Sequence, residues 1–328
     1  MSAYVLPRVP LAEIGAAWLR AEQGGTMEKT AYANGYKVSD YDPPRATENF
    51  KDVLKLCDDR PRDLVPTDTG ALVIDVDTQM NGFYYEVAAI GYQYNGASIS
   101  SSLVNKGYLL KFDDLVTLAA RIWYDANGKQ YRICSGLIDS GGGRKAGAPS
   151  EHSRTKEVYE FCKRYPLFAP IKGTGRKDSP VSYTKLDKWP GTSKAIPGGL
   201  TLIKLDVHYY KDALASALQV TAGEPGSFNL YSGFTKQQLN HPVAGVQPEN
   251  ELIDYAKHLC AEFRTDMGLW EHDHKAGRND WHDTATYRMH HLERVQAWGL
   301  LVPPSQQVKK QPQQPTTSNS RPDWFNNR

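Results

Sequence analysis

A short apolar run from Ala71 to Asp77 constrains the fold of this chain more than any other segment. Such a β-branched, nearly continuous run is typical of a buried central strand, and it ends in an acid. The two segments that follow, Phe83–Tyr92 and Ile99–Leu110, come after turns that contain Asn-Gly. Because Asn-Gly between apolar runs is a strong hairpin signal, we predict three antiparallel strands in a meander.

The next part of the chain alternates between helical and extended patterns. Apolar residues recur at helical spacing over Phe112–Tyr124 and Glu151–Tyr165, whereas Tyr131–Asp139 and Leu167–Lys172 have the pattern of strands. Three antiparallel strands followed by helix, strand, helix and strand predict a mixed α/β sheet flanked by helices. This element order matches the ribonuclease H-like core, in which the first and fourth strands are neighbours.

Composition divides the chain into three predicted parts. Residues 1–69 form a lead-in arm with one amphipathic helix at Leu11–Ala21, and residues 70–302 hold the sheet and its helices. Residues 303–328 are rich in Pro, Gln, Ser, Thr and Asn, which predicts a disordered tail. The other expected elements are a long basic loop at Gly173–Gly199, a strand at Thr201–Val207, and helices at Lys211–Leu218, Glu249–Thr265 and Asp280–Gly299.

The overall charge excludes a global attraction to polyanions. The chain has 39 Lys and Arg against 37 Asp and Glu, a formal charge of +2, so any nucleic-acid or lipid contact must be a local patch. Its four cysteines are scattered without a C-x-x-C pair, so their spacing does not suggest a structural zinc site. A reducing, intracellular setting fits these cysteines best. With no apolar stretch of membrane-spanning length, we expect no membrane partner.

Three acids end or begin predicted elements that meet at one edge of the sheet. Asp77 and Asp139 close predicted strands, and Asp283 lies in the first turn of the last helix. Clustered carboxylates repel one another unless a cation neutralises them, and their oxygens favour Mg²⁺ or Mn²⁺. Two such ions catalyse phosphodiester hydrolysis in many enzymes. Asp75 points to the same face as Asp77 and is a further candidate ligand; turn formation or helix capping is the alternative role for each acid.

Basic residues near these acids are candidate contacts to a DNA backbone. The predicted loop after the fourth strand interleaves lysines with Tyr183 and Trp189, and a Gly-rich segment follows Asp139. A merely solvated loop is the alternative. The candidates are Lys172, Arg176, Lys177, Lys185, Lys188, Arg144 and Lys145.

Four motifs carry a resemblance to a known family. They are Asp75-Val76-Asp77-Thr78-Gln79 before a hairpin, Leu137-Ile138-Asp139-Ser140-Gly141-Gly142 with Val158-Tyr159-Glu160-Phe161-Cys162 after it, Pro170-Ile171-Lys172-Gly173, and Gly277-Arg278-Asn279-Asp280-Trp281-His282-Asp283 with Tyr287. In this order and spacing they resemble the nuclease half of phage terminase large subunits of the lambda-type packaging family.

The resemblance implies a metal-dependent, ribonuclease H-like endonuclease that cuts concatemeric double-stranded DNA during packaging. Matched position by position, it puts an acidic triad on Asp77, Asp139 and Asp283, with two Mg²⁺ or Mn²⁺ ions as cofactors. The chain departs from the family at Asp280, where Glu is more common, and at His282, where an apolar residue is usual.

Family members also carry an ATPase motor, but no segment of this chain fits G-x-x-x-x-G-K-[ST]. The resemblance therefore implies partners: an ATPase motor domain, a small terminase subunit that chooses the cut site, and the portal protein. The tail from Pro303 is a candidate portal contact. The expected setting is the host cell cytoplasm during virus assembly.

Two other functions stay open at this point. A ribonuclease H-like nuclease for branched DNA or repair would use the same triad, and a non-catalytic DNA- or portal-docking module would use the acids as structural caps. Five histidines between His272 and His291 could also hold zinc, although no cysteine accompanies them.

Overall fold

The computed structural model describes residues 10–23, 29, 32–37, 49–92, 99–141, 154–175, 179–233, 250–265 and 267–301. The predicted tail at 303–328 lies outside these residues. So do four basic candidates: Arg144, Lys145, Arg176 and Lys177.

The described residues contain α-helices, one π-helical turn at Ala33–Lys37 and strands. The α-helices are α1 (Leu11–Gln23), α2 (Phe50–Leu54), α3 (Phe112–Ala120), α4 (Arg154–Arg164), α5 (Val207–Ala217), α6 (Ile253–Leu259) and α7 (Asp280–Ala297). The strands are β1 (Leu64–Val65), β2 (Ala71–Gln79), β3 (Gly82–Gly91), β4 (Ser100–Leu109), β5 (Trp123–Asp125), β6 (Gln130–Tyr131), β7 (Ile133–Asp139), β8 (Phe168–Thr174), β9 (Val181–Lys188), β10 (Ala195–Asp206), β11 (Phe228–Asn229), β12 (Glu262–Arg264) and β13 (Trp270–His272).

The central sheet has eight strands in the order β11-β4-β3-β2-β7-β8-β10-β9. Strands β2, β3 and β4 are antiparallel neighbours, whereas β7, β8 and β10 run parallel to β2. The first long strand, β2, therefore pairs with β7, the next strand of this sheet after the meander. This confirms the predicted mixed α/β fold, which is compatible with a ribonuclease H-like nuclease.

Helices cover both faces of the sheet. Ile74, Val76 and Ile138 pack with Phe161 of α4 on one face. On the other face, apolar residues of β7, β8 and β10 pack against α5, α6 and α7. Because side chains alternate along a strand, the odd-numbered residues of β2 all face α7.

Helix α7 runs along β2, and this packing positions the site. Val295 packs in one cluster with Ala71 and Val73, and His291 contacts Asp75. Four residues of helix rise by about 6 Å and two residues of strand by about 6.6 Å, so the two spacings stay nearly in step. Two further steps of this kind from His291 and Asp75 lead through Tyr287 and Asp77 to Asp283, near the beginning of α7, and Gln79, at the end of β2.

Two predicted elements are corrected by the structure. The expected loop at Gly173–Gly199 contains β9 and the start of β10, which pair antiparallel at the sheet edge. The expected helix at Glu249–Thr265 ends with α6, and Glu262 begins the short strand β12. In both segments the secondary structure depends on pairing with other strands. The spacing of apolar residues within the segment does not predict such pairing.

The segment before β2 is packed against the core. Val53 and Leu56 belong to the cluster of buried residues under α6 and α7. The backbone of Cys57 forms an isolated parallel β-bridge with Leu230. Helix α1 confirms the predicted N-terminal helix. The division of the chain at residue 69 stays a prediction. Among the described helices, none combines the length and apolar character that crossing a membrane requires.

Candidate active site

Asp77 and Asp139 lie side by side at the ends of adjacent parallel strands. Val76 of β2 is in register with Ile138 of β7, so the next residue of each strand is an acid on the face covered by α7. The Thr78 hydroxyl donates to the Asp139 carbonyl at 2.6 Å and ties the two strand ends together. Both carboxylates are buried.

Asp283 lies in the first turn of α7, is 28% exposed, and acts on both carboxylates through its charge. The pKa of Asp77 is raised well above its usual range by burial and by the charges of Asp283 and Asp139. Burial raises the pKa of Asp139 to about 7. The Gly141 N–H partly offsets this rise, and the Asp283 charge adds to it. Burial also raises the pKa of Asp283. We call Asp77, Asp139 and Asp283 the acid cluster.

Two hydrogen bonds orient the strand-end carboxylates. The Gln79 amide donates to Asp77 Oδ2, and the Gly141 N–H donates to Asp139 Oδ2 at 3.0 Å. A Cβ at residue 141 would lie 3.2 Å from Asp139 Oδ2, so glycine lets the backbone approach this closely. These contacts hold the two acids in place, but neither donor is a cation.

Two further charged residues beside Asp283, Lys211 and Glu262, were not predicted from the sequence. The Lys211 ammonium, on α5, donates to both Glu262 carboxylate oxygens at 2.7 and 2.6 Å and lies 3.3 Å from Asp283 Oδ1. Burial acts to raise the pKa of Glu262, but His282 and Lys211 outweigh it and lower the pKa to about 2. The sequence did not mark them as site residues, because Glu262 fell in the segment predicted as a helix.

Asp283 also belongs to a compact set of potential metal ligands. Among the described residues, one ligand atom each of Glu262, His282 and Asp283 lies within 4.8 Å of the others. Burial lowers the pKa of His282 to about 4, so its imidazole is neutral near pH 7. Its buried Nδ1 makes no hydrogen bond within the described part of the chain.

Asp75 has a different environment, although it shares a strand face with Asp77. Its Oδ1 lies 2.8 Å from His291 Nδ1, and His291 Nε2 lies 2.9 Å from the Ser135 hydroxyl. All three residues are buried between α7 and the sheet. The spacing is that of a Ser-His-Asp relay, but burial keeps the hydroxyl from substrate, so the chain of bonds fastens α7 to the sheet.

The other histidines do not all converge on one point, although the His272 and His274 rings lie 4.5 Å apart. His290 Nδ1 lies 3.0 Å from the Tyr210 hydroxyl, and His272 Nε2 lies 2.6 Å from the Gly277 carbonyl. Because these residues have separate partners, the structure offers no support for a zinc site built from the described histidines alone.

The described basic candidates lie on one side of the acid cluster. Lys172, on β8, is exposed, and its charge partly offsets the rise in the pKa of Asp139. Lys185 and Lys188 are exposed on β9, the edge strand.

One of three comparisons with known proteins identifies a family for the chain. A family model described as terminase large subunit gpA, endonuclease domain, matches residues 1–299. The search of curated proteins returned no match, and neither did the search of solved structures. The match covers the acid cluster and the whole described sheet, which confirms the resemblance. The chain belongs to the family of terminase large subunit endonuclease domains and is a nuclease of phage DNA packaging.

Proposed function

We propose that this chain is a metal-dependent endonuclease that cuts concatemeric double-stranded DNA, with Asp77, Asp139 and Asp283 as its catalytic and metal-binding residues. The observation that carries the proposal is the acid cluster itself. Its strand-end carboxylates are buried, have raised pKa values and repel one another. Fold stability alone gives no reason to keep such a cluster, whereas a cation site does.

The donor set fits Mg²⁺ or Mn²⁺. Asp77 and Asp139 present hard carboxylate oxygens, the ligands that these ions prefer. Glu262 and His282 offer further ligand atoms beside Asp283, where the Lys211 ammonium pairs with both Glu262 oxygens. When bound, two divalent ions neutralise the carboxylates, lower the pKa of a water molecule and stabilise charge on the scissile phosphate.

The residues around the cluster hold and orient these groups. Gln79 and the Gly141 N–H keep the strand-end carboxylates facing the site. Lys211 compensates the charges of Glu262 and Asp283, and thereby fixes the beginning of α7. Lys172 attracts the DNA phosphate toward Asp139. Cleavage leaves a 3′-hydroxyl and a 5′-phosphate.

The proposal includes the setting of the reaction. The described basic residues suit contacts to a phosphate backbone, which carry little sequence information. A small terminase subunit would therefore choose the site, an ATPase motor domain would move the DNA, and the portal protein would receive it. We place this activity in the host cell cytoplasm during virus assembly.

The test is cleavage of supercoiled plasmid with Mg²⁺, Mn²⁺ or EDTA. We expect nicking and linearisation that require metal and disappear in Asp77→Asn, Asp139→Asn and Asp283→Asn. Asp113→Asn, an exposed acid on α3, is the matched control and should cleave normally. Cleavage in EDTA, or full activity in all three variants, would reject the proposal.

Cleavage of four-way junctions and linear duplexes under the same conditions separates the other two functions. A nuclease for branched DNA would cut four-way junctions in preference to linear duplex. A docking module would bind DNA and remain folded, yet cut no substrate with any ion.

A further inference from the structure

Aromatic and cationic side chains lie beside the acid cluster on the side away from Lys172. The Tyr84 ring lies 4.8 Å from the Tyr108 ring and 5.0 Å from the Trp281 ring. The Arg278 guanidinium lies 5.0 Å from the Tyr84 ring, and the Lys106 ammonium lies 4.3 Å from the Trp281 ring. We call these five residues the aromatic platform.

The platform directly adjoins the catalytic carboxylates. Tyr84 on β3 is the cross-strand partner of Asp77 on β2, and Tyr108 on β4 is the cross-strand partner of Tyr84. Directly opposed residues of an antiparallel pair have side chains on the same face, about 4.5–5.5 Å apart at Cβ. A ligand on the platform therefore lies within one or two strand spacings of Asp77.

Part of the platform faces solvent and part supports it. Arg278 is 58% exposed and Tyr108 is 42% exposed, whereas Trp281 is buried beneath them. Asp280 accepts from Arg278 Nε at 2.7 Å and from Nη2 at 3.3 Å, which fixes the guanidinium over the Tyr84 ring. A Cβ at Gly82 would lie 2.5 Å from the Tyr108 hydroxyl, so glycine leaves room for this ring.

We propose that the aromatic platform binds an unpaired nucleotide of the DNA strand next to the scissile phosphate. The exposed Tyr108 ring stacks on the base, and the Arg278 guanidinium contacts the neighbouring phosphate. An exposed aromatic ring stacks on any base, but only on one that has left the duplex. The inference rests on the proposed nuclease function and adds that the strand opens beside the cut.

The order of strands in the sheet places candidate DNA contacts on both sides of the acid cluster. Strands β3 and β4, with the platform, lie on one side of β2, whereas β8 and β9, with Lys172, Lys185 and Lys188, lie on the other. The lysines suit the backbone of a paired duplex. The platform, which combines rings with one exposed guanidinium, suits a single nucleotide.

The experiment measures DNA binding apart from cleavage. Fluorescence anisotropy in EDTA, in an Asp139→Asn background, compares a fully paired duplex with the same duplex carrying a short unpaired flank. Tyr108→Leu should weaken binding of the flanked DNA about tenfold, the loss expected for one base–aromatic stack, and change binding of the paired duplex less than about twofold. Tyr108→Phe should bind the flanked DNA like its parent.

Two further variants complete the design. Arg278→Gln should weaken the binding of both DNAs and reduce the slope of log affinity against log salt by about one. Tyr124→Leu, a tyrosine on β5 that is 46% exposed, is the matched control and should bind like its parent. Circular dichroism of each variant establishes that it is folded.

The outcomes separate this inference from the nuclease proposal. Equal affinity of parent and Tyr108→Leu for the flanked DNA, or equal losses on both DNAs, would overturn the inference while metal-dependent plasmid cleavage continued to support the nuclease. A flank-specific loss would support it, even if the wild-type chain failed to cleave plasmid.

Discussion

Two carboxylates on one face of β2 have opposite environments. Asp75 is sealed between α7 and the sheet, where its Oδ1 pairs with His291 and His291 in turn contacts the Ser135 hydroxyl. Asp77, two residues further along, is also buried, and burial together with the charges of Asp283 and Asp139 raises its pKa. The difference shows that burial and position on a strand do not by themselves determine the environment of an acid. The partners that tertiary structure supplies do.

The closed region around Asp75 extends to a second buried acid. Glu86, on β3, accepts from the Tyr255 hydroxyl at 3.0 Å, from the Thr284 hydroxyl at 2.6 Å and from the Arg288 guanidinium. Arg288 is fully buried and stacks over Phe228. Here each buried acid meets donors from α6 or α7, so this region serves the fold. In the acid cluster at the other end of α7, Asp283 pairs with Lys211, but Asp77 and Asp139 accept only from uncharged donors among the described residues.

The largest expected effect is on stability in the closed region. Arg288→Met leaves the buried Glu86 carboxylate without its counter-charge, and should lower the free energy of unfolding by about 3–5 kcal/mol. Urea denaturation followed by circular dichroism measures this change.

The double variant Glu86→Gln/Arg288→Met is the control for the lost packing. Glutamine keeps an acceptor for the Tyr255 and Thr284 hydroxyls without leaving a buried charge, so it should recover much of the lost stability. A double variant no more stable than Arg288→Met would mean that the ion pair is not the cause.

The two acids of β2 should respond to substitution with opposite signs. Asp75→Ala removes the partner of His291 Nδ1 and should cost about 1–3 kcal/mol of unfolding free energy. Asp77→Asn removes one of three repelling charges and should stabilise the metal-free protein by about 1 kcal/mol. Denaturation in EDTA measures both values. Destabilisation of similar size by both variants would erase the distinction between the regions.

The pH dependence of stability sharpens the contrast. Burial raises the pKa of Asp139 from 3.8 to about 7, so the folded protein binds a proton that the unfolded chain has released. Stability from this group is therefore present at low pH and is lost as pH rises through about 7. Between pH 6 and 8 in EDTA, the free energy of unfolding should fall by about 1–2 kcal/mol.

This pH window avoids the buried histidines. Burial lowers the pKa of His258 and His282 to about 4 and that of His290 to about 3, which makes stability rise with pH below about 6.5. Asp139→Asn has no carboxyl to titrate at this position and should make the profile shallower above pH 6, while Asp77 and Asp283, whose pKa values burial also raises, supply the slope that is left. An unchanged slope in this variant would assign the pH dependence to another group.

The sequence predicted the frame of the acid cluster because that frame depends on regular elements. The apolar run of β2, the acid at the end of β7 and the long helix α7 all have strong local patterns. Element order then predicts that β2 and β7 are neighbours, and the structure confirms this pairing. The catalytic roles of Asp77, Asp139 and Asp283 remain a proposal.

The surroundings of the cluster could not be predicted, because they come from short or distant segments. Glu262 lies on a three-residue strand, too short for any periodicity, and Lys211 reaches it from α5. His291 and Asp75 are 216 residues apart in sequence. Alternation along β9 puts Lys185 between less exposed residues, but the glycines and prolines around it suggested a loop.

The smallest expected effect is at the edge strand β9, whose lysines are proposed contacts to the DNA backbone. The double variant Lys185→Gln/Lys188→Gln removes two exposed charges without touching the acid cluster, so folding stability should stay within about 0.5 kcal/mol. Each lost phosphate contact should reduce the slope of log affinity against log salt by about one. Anisotropy titrations across a salt series measure that slope, with Lys129→Gln, on the turn before β6, as the control. A slope equal to that of the wild type would make β9 a solvated edge and confine DNA contact to the residues nearer Asp139 and Tyr84.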